Sequence, residues 1–316
     1  MAQILYQNID TGDAYDITTL VKAASWKTKR TGSPAQLNLT LLADPAVEIA
    51  EGGIVTLTED GTGLFYGYVF KYSRSEKEEI SLTAYDQMRY LKNKDTYVFS
   101  GQTADAITRK ICADFGIKTG TLEPTGYVIP SMVEDGQTLL DILLKALDLT
   151  LIHTGKMFYL WDDFGSLRIS DVEKSALGLL VGESSLATGY SYQSDIDSDT
   201  ANKIKLVRDN RQTGKREVWV VMDSSSQKRW GVLQHYEKVG EGLNAAQAEA
   251  RADSLLELKN RPKRSLSIMG LSDLSIRAGR SLLVSIPDAG VSGWYIVDEC
   301  THDLLKETMT LKVVIA

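Results

Sequence analysis

Three histidines (His153, His235, His302), two cysteines (Cys112, Cys300) and an acidic run (Asp195, Asp197, Asp199) are the side chains best suited by type to metal binding or nucleophilic catalysis. Their spacing argues against both. The histidines have no ligand-type spacing around them, and neither His-Glu-x-x-His nor a pair of Cys-x-x-Cys motifs occurs, so no structural zinc site is expected. Exposed or strand-terminal positions account for the histidines better than catalysis does. The acidic run starts like a calcium loop, but an EF-hand would then need Gly and Glu where this chain has Thr200 and Leu206. It is read as an acidic loop opening a strand, with weak cation binding as the lesser alternative. Adjacent acids that could serve a glycosidase are Asp162-Asp163 and Glu78-Glu79, both in expected turns where carboxylates are solvated. The glycines of 51–53 and 60–63 are not followed by Lys-Ser or Lys-Thr and are turn glycines rather than a phosphate loop. No Gly-x-Ser-x-Gly elbow is present, and Ser224 to Ser226 reads as a strand-end loop. The sequence thus nominates no catalytic, cofactor-binding or metal-binding residue, and neither enzymatic activity nor a cofactor is expected.

A chain of 316 residues has length for two or three domains, each with its own core. A net charge of −7 opposes a nucleic-acid-binding surface, which would be basic. Tyrosine (14) outnumbers phenylalanine (6), which suits strand surfaces and interfaces with one wet edge. Two distant cysteines are no disulfide framework and are expected as free thiols in a reducing cytoplasm. The first ten residues lack a basic start followed by an apolar core, so no signal peptide is expected. The apolar segment Leu139 to Ile152 is broken by Asp141, Lys145 and Asp148 and cannot span a bilayer.

The elements are organised around Gly53 to Ala84, which parses as a three-strand meander. Val55 and Leu57 alternate with threonines, Asp60-Gly61 supplies a turn, and Ile80, Leu82 and Ala84 alternate with Ser81 and Thr83. Between them Leu64, Tyr66, Tyr68 and Phe70 point one way and Phe65 and Val69 the other, so both faces of the middle strand are expected to be covered. Gly279 to Ile315 repeats the arrangement. In both copies a second glycine, Gly67 or Gly293, follows the first by 14 residues and precedes Tyr68 or Trp294, and Ile80 to Leu82 corresponds to Met309 to Leu311. Earlier strands are expected at Gln3 to Asn8, Leu20 to Thr28 and Ala35 to Leu42, and Lys27 to Arg30 with Gly32-Ser33-Pro34 reads as an exposed loop. Thr103 caps a helix bearing Ile107, Ile111 and Phe115, and Thr138 with Asp141 opens a second through Leu147. Strands are then expected at Leu149 to His153, Met157 to Trp161 and Leu167 to Ser170. Further on, Lys203 to Arg208 and Glu217 to Asp223 flank a polar turn, Trp230 to Lys238 reads as a strand, and Asn244 with Gln247 opens a helix ended by Pro262. The chain is thus expected to be mainly β with an α+β insertion, in three domains: 1–92, 93–185 and 186–316.

The run LTAYDQMRYLKNKDTYVFSGQTADAITRKICADFGI (82–117), NKIKLV (202–207), GVLQHYEKVG (231–240) and AGRSLLVSIPDAGVSGWYIVDECTH (278–302) together resemble the hub family of contractile phage tails. That family includes PBSX-like prophage hubs and R-type bacteriocin hubs and is related to the hub part of type VI secretion spike proteins. The likeness rests on pattern and order across almost the whole chain. It implies two tail-tube-like β-barrel domains flanking a small α+β domain, and a homotrimeric ring adapting a six-fold tail tube to a three-fold central spike. It further implies partners in the tube, spike and baseplate wedge proteins, no sequence-specific nucleic acid and no membrane insertion. Assembly is expected in the bacterial cytoplasm, with the baseplate of a virion or bacteriocin tail as the final location. A rival resemblance is to a LysM glycan-binding module, on Tyr97 to Thr103 followed by Ile107, Ile111 and Phe115-Gly-Ile; it would imply a peptidoglycan-binding protein or wall-hydrolase component.

Overall fold

The computed structural model describes residues 2–182, 185–210, 214–240 and 244–315. The chain opens with β1 (Ala2–Gln7), β2 (Ala14–Asp16), β3 (Val21–Lys29) and β4 (Gln36–Leu42), followed by the expected meander β5 (Ile54–Glu59), β6 (Thr62–Arg74) and β7 (Glu79–Tyr85). Asp60 and Gly61 take φ of 47° and 80°, the two positive angles that let a two-residue turn follow the twist of its strands. Val55, Leu57, Phe65, Val69, Ile80 and Leu82 bury themselves with Trp26, Leu37 and Leu39 in one core. Lys27 and Lys29, expected at the start of an exposed loop, lie in β3 instead, because that stretch finds a strand partner far along the chain.

A second core belongs to the α+β region: β8 (Lys94–Gln102), α1 (Ala104–Asp114), β9 (Thr119–Leu122), β10 (Ile129–Thr138), α2 (Leu139–Thr154), β11 (Phe158–Asp162) and β12 (Leu167–Asp171). Thr138 Oγ1 accepts from Asp141 N at 3.1 Å and caps α2. The strand expected at Leu149 to His153 is instead the last part of α2. Leu143, Leu147 and Thr150 continue one buried helical stripe, and Thr150 Oγ1 donates to the Ala146 carbonyl at 3.0 Å, which keeps a β-branched hydroxyl satisfied within the helix. Strands β8 and β10, which pair antiparallel, went unread in the sequence because Gly101, Gly136 and mixed polar residues mask their alternation.

The remaining elements are β13 (Ala176–Gly182), β14 (Ala187–Asp195), β15 (Lys203–Asn210), β16 (Lys215–Met222), α3 (Ser224–Trp230), β17 (Gln234–Lys238), α4 (Ala245–Lys259), β18 (Lys263–Leu271), β19 (Ser281–Ile286), β20 (Val291–Asp303) and β21 (Thr308–Ile315). Contacts group Met1–Ser191 with Ser267–Ala316 as one compact unit and Tyr192–Leu266 as another. In the second unit the sheet β16-β15-β17 buries Ile204 and Leu206 with Ala252 of α4, whose start carries the expected Asn244–Gln247 capping box. The turn read between Asp209 and Lys215 includes 211–213, which lie outside the described residues. Trp230 ends α3 rather than beginning a strand, since Asp223 accepts from Ser225 N and Ser226 N and starts a helix there; the strand begins at Gln234.

Thirteen strands form one sheet, and its order shows the repeat. One half reads β1-β5-β6-β7-β4-β3 and the other β13-β19-β20-β21-β18-β14, so each strand of the first set has a counterpart of the same rank in the second. The residues Tyr192–Leu266 are inserted where the first set has only the β3–β4 connection. The halves match in detail. Gly67 lies opposite Val55 and Gly293 opposite Val284. The long middle strands, 13 residues each, both slip register against the third strand after the shared glycine, between Val69 and Lys71 in one and between Val297 and Glu299 in the other. The third strand is preceded in each by a glutamate at positive φ, Glu78 or Glu307. One difference is polarity: β1 pairs β5 antiparallel, whereas β13 pairs β19 parallel. Among the described residues neither half closes into the expected barrel; β3 pairs with β20, so the halves are stitched into one sheet that runs as an open path.

Candidate functional site

Both modules and the α+β region meet around Arg277, in the β18–β19 connection. Its guanidinium lies 4.4 Å from the Trp161 ring centroid and 5.8 Å from that of Trp26, and Nη2 donates to the Asp162 carbonyl at 2.9 Å. These contacts come from two stretches, Trp26 in β3 and Trp161 with Asp162 in β11, so the cation ties both strands to the second module. Beside it lie two buried carboxylates. Asp86 accepts from Ala35 N and Met88 N, both at 3.0 Å, and thereby joins the start of β4 to the turn after β7. Asp162 accepts from Gln87 Nε2 and Gly165 N, both at 2.7 Å. Burial pushes the carboxyls of Asp86 and Asp162 above the usual carboxylate range, and for Asp86 the charge of Asp162 pushes further. A parallel tie involves Arg30, whose Nε donates at 3.0 Å to Asp298, the residue at the register slip of β20.

The expectation that Asp162-Asp163 is a solvated pair is thus corrected. Alternation along β11 sends Asp162 inward, where it is buried, while Asp163 in the following turn meets Arg168 at 2.7 Å. Glu79 pairs with Lys22 at the start of β7, and Glu78 lies in the turn before it.

His302 takes the strand-terminal alternative, next to last in β20, but it is buried, stacked on Trp26 at 5.4 Å, with Nε2 at 2.8 Å from the Ile276 carbonyl and 3.0 Å from Cys300 Sγ. Burial lowers its basicity, so the ring is neutral. Nε2 then donates to Ile276 O, and Nδ1 accepts from Ser272 Oγ at 2.7 Å. A thiol beside an imidazole is the arrangement of a cysteine nucleophile. Here burial pushes the Cys300 thiol up, both groups are shut from solvent, and the imidazole is committed to a backbone carbonyl, so the cluster is a structural one. Its sequence signal was the Cys-x-His spacing of two, which puts both side chains on one face of a strand. Cys112 is likewise a free buried thiol, pushed up to about 12 by burial.

The other candidates stay apart. His153 stacks on Tyr127 at 4.3 Å, and His235 lies 3.5 Å from Glu237. Asp195 accepts from Asp197 N, Ser198 N and Ser198 Oγ, closing its own loop, while Asp199 pairs with Lys259 at 2.5 Å. Ser224 to Ser226 form the first turn of α3 instead of a loop. Among the described residues no three His, Cys, Asp or Glu side chains gather as a metal-ligand set. Among the described residues no helix is long and apolar enough to cross a membrane.

The outer face of the first module carries an aromatic row. Tyr66 and Tyr68 meet edge to face at 5.8 Å; Phe164 packs on Tyr66 at 5.7 Å and Tyr90 on Tyr68 at 5.8 Å. The middle strand is thus covered on both faces, as its composition required. On the second module the same face is covered only in part. Ile296 packs under Tyr159 and Val172, whereas Leu180, Leu283 and Trp294, cross-strand neighbours on three adjacent strands, stay 40%, 37% and 49% exposed.

The fold is similar to that of solved tail proteins. It superposes on the 43 kDa tail protein of prophage MuSo2 from Shewanella oneidensis with a TM-score of 0.73 at 16% identity, covering 99% of this chain and 98% of that one. For the tail protein of Neisseria meningitidis MC58 the TM-score is 0.69 at 14% identity, covering 99% and 96%. The YqbQ-like family model matches residues 24–314. Two relatives from Bacillus subtilis strain 168 are 36% identical: the phage-like element PBSX protein XkdQ over 271 residues, 84% of this chain and 82% of that protein, and YqbQ over 275 residues, 84% and 81%. The chain therefore belongs to the YqbQ-like family, and the resemblance to PBSX-like prophage proteins read from its sequence is met by these relatives. The rival LysM likeness fares less well, since β9 and β10 separate the two helices that a βααβ module would place in succession.

Proposed function

We propose that this protein is a structural hub of a phage-type tail baseplate, not an enzyme, and that three copies form a ring adapting a six-fold tail tube to a three-fold central spike. One observation carries the reading: a single chain holds two β modules with the same strand order. Three such chains present six similar modules around an axis while remaining three-fold overall, which is what a joint between six-fold and three-fold partners requires. In this reading each module is an open counterpart of a tail-tube module, 1–92 and 186–316 are the tube-facing domains, and 93–185 is the bracket between them. Ring closure then satisfies the open strand edges. The partners are the tail tube, central spike and baseplate wedge proteins, with assembly in the bacterial cytoplasm and final placement in the tail baseplate of a phage, prophage or bacteriocin particle. The PBSX relative and the tail proteins that share the fold support this.

The test is the mass of the particle in solution. Light scattering coupled to gel filtration, alone and with cognate tube and spike proteins, is expected to show a trimer under at least one condition. A strict monomer in all of them overturns the reading. Retention on purified peptidoglycan would favour the glycan-binding alternative.

A further inference from the structure

A groove of about 610 Å³ lies where β1 of the first module approaches the start of β14 and the turns of the second module, all within the first compact unit. Its floor is apolar: Ile4, Val21, Leu274 and Leu304 line it and also pack against the core of the first module, so hydrophobic interior opens to solvent here. Leu305, at its mouth, is 48% exposed. The rim has one sign of charge. Glu59, Asp273 and Glu307 line it, and no lysine or arginine does so among the described residues. Asp273 caps its own turn by accepting from Ser275 N at 3.0 Å and Ser275 Oγ at 2.6 Å; the two glutamates have no such local partner. An adjoining depression shares Ala2 and Thr18 and adds Asp16 and Asp60, which extends the acidic track along β1.

We propose that this groove is a docking site for an extended segment of a partner protein in which basic residues alternate with apolar ones. The charge of the rim selects the sign, and the apolar floor requires side chains that gain by leaving water. Strand geometry selects the extended form. Ile4 turns its backbone away from β5, donating N–H to Thr18 Oγ1 at 2.9 Å and accepting from Ile17 N at 3.0 Å. Ala2, two residues earlier, shares that orientation and faces the groove, so a strand laid there continues the sheet past β1. In such a strand the alternate side chains reach the floor and the others meet the rim. This inference stands apart from the hub reading and survives if the protein proves monomeric.

The test uses the full chain and a fluorescein-labelled peptide, Lys-Val-Lys-Val-Thr-Val-Lys, with Ser-for-Val and Glu-for-Lys versions as controls, read by fluorescence anisotropy at low and moderate salt. Saturable binding is expected for the first peptide only, weakening as salt rises. The variant Glu59→Gln/Glu307→Gln, changed only at the rim, is expected to bind about tenfold more weakly with an unchanged melting temperature, and Leu305→Ser to weaken binding at every salt concentration. Absence of saturable binding, equal binding of the serine version, or affinity unaltered in the glutamine variant each overturns the proposal.

Discussion

The two β modules of this chain share strand order, a register slip in the middle strand and a left-handed glutamate before the third strand, yet they finish their outer faces differently. Tyr68, opposite Ile54, is enclosed by Tyr66 and Tyr90, whereas Trp294, opposite Leu283 in the equivalent place, stands half exposed. The glycines that open the meanders show the same divergence. A Cβ on Gly53 would meet the Tyr6 ring at 2.5 Å, from its own module, while one on Gly279 would meet Tyr159 at 2.1 Å, from the α+β region. The inner faces are thus set by the repeat and the outer faces by what the α+β region covers. The comparison teaches that a duplicated module keeps its core and exchanges its neighbours.

The inner faces should prove interchangeable. Val69→Asp and Val297→Asp each put a carboxylate into a fully buried site beside the register slip of its middle strand, and each is expected to destabilise by about 3 kcal/mol or more, visible as loss of cooperative thermal unfolding. Wild-type melting of either variant would break the equivalence.

The outer faces should prove unequal. Tyr68→Ser removes a ring packed among aromatics and is expected to cost about 2 kcal/mol, whereas Trp294→Ser is expected to change monomer stability by less than about 0.5 kcal/mol in denaturant titration. Equal losses would mean that the second face is not bare in solution.

Acid titration separates the buried junction from the seam between modules. Burial pushes the Glu299 carboxyl up, but the ammonium groups of Lys27 and Lys29 outweigh it and hold it at about 2. Its contribution is therefore present above its ordinary value of 4.5 and is lost as pH falls toward about 2. Asp86 has the opposite sign. Its folded pKa is raised above the ordinary 3.8, so its contribution is present below that value and lost as pH rises through the folded one. Glu299→Gln is expected to flatten the acid limb of a stability–pH profile and Asp86→Asn to remove the loss of stability on the rising-pH side; a profile unchanged in either variant sinks the assignment. The smallest effect expected is none at all: Cys112 and Cys300 should resist a thiol reagent in the native protein and react only on unfolding.

Much of this was legible in the sequence. Asp60-Gly61, the alternation through Val55 and Leu82, the caps at Thr138 and Asn244, and the paired glycines fix local structure through backbone sterics and periodicity alone, which act over a few residues. What misled was also local. The β-branched residues in Leu149 to His153 suggested a strand until helical packing against the α+β core prevailed, and Asp162 looked solvated because its burial depends on Gln87 and Gly165 approaching it. The junction around Arg277, the stacking of His302 on Trp26 and the acidic groove join residues that are tens to hundreds of positions apart. By itself the sequence determined the two meanders with their paired glycines and the capped starts of the helices, because alternation, turn sterics and capping act between near neighbours. Only the tertiary structure decided that β3 would pair with β20, fusing the modules into one open sheet, because strand partners are chosen by long-range burial and edge satisfaction rather than by neighbours along the chain.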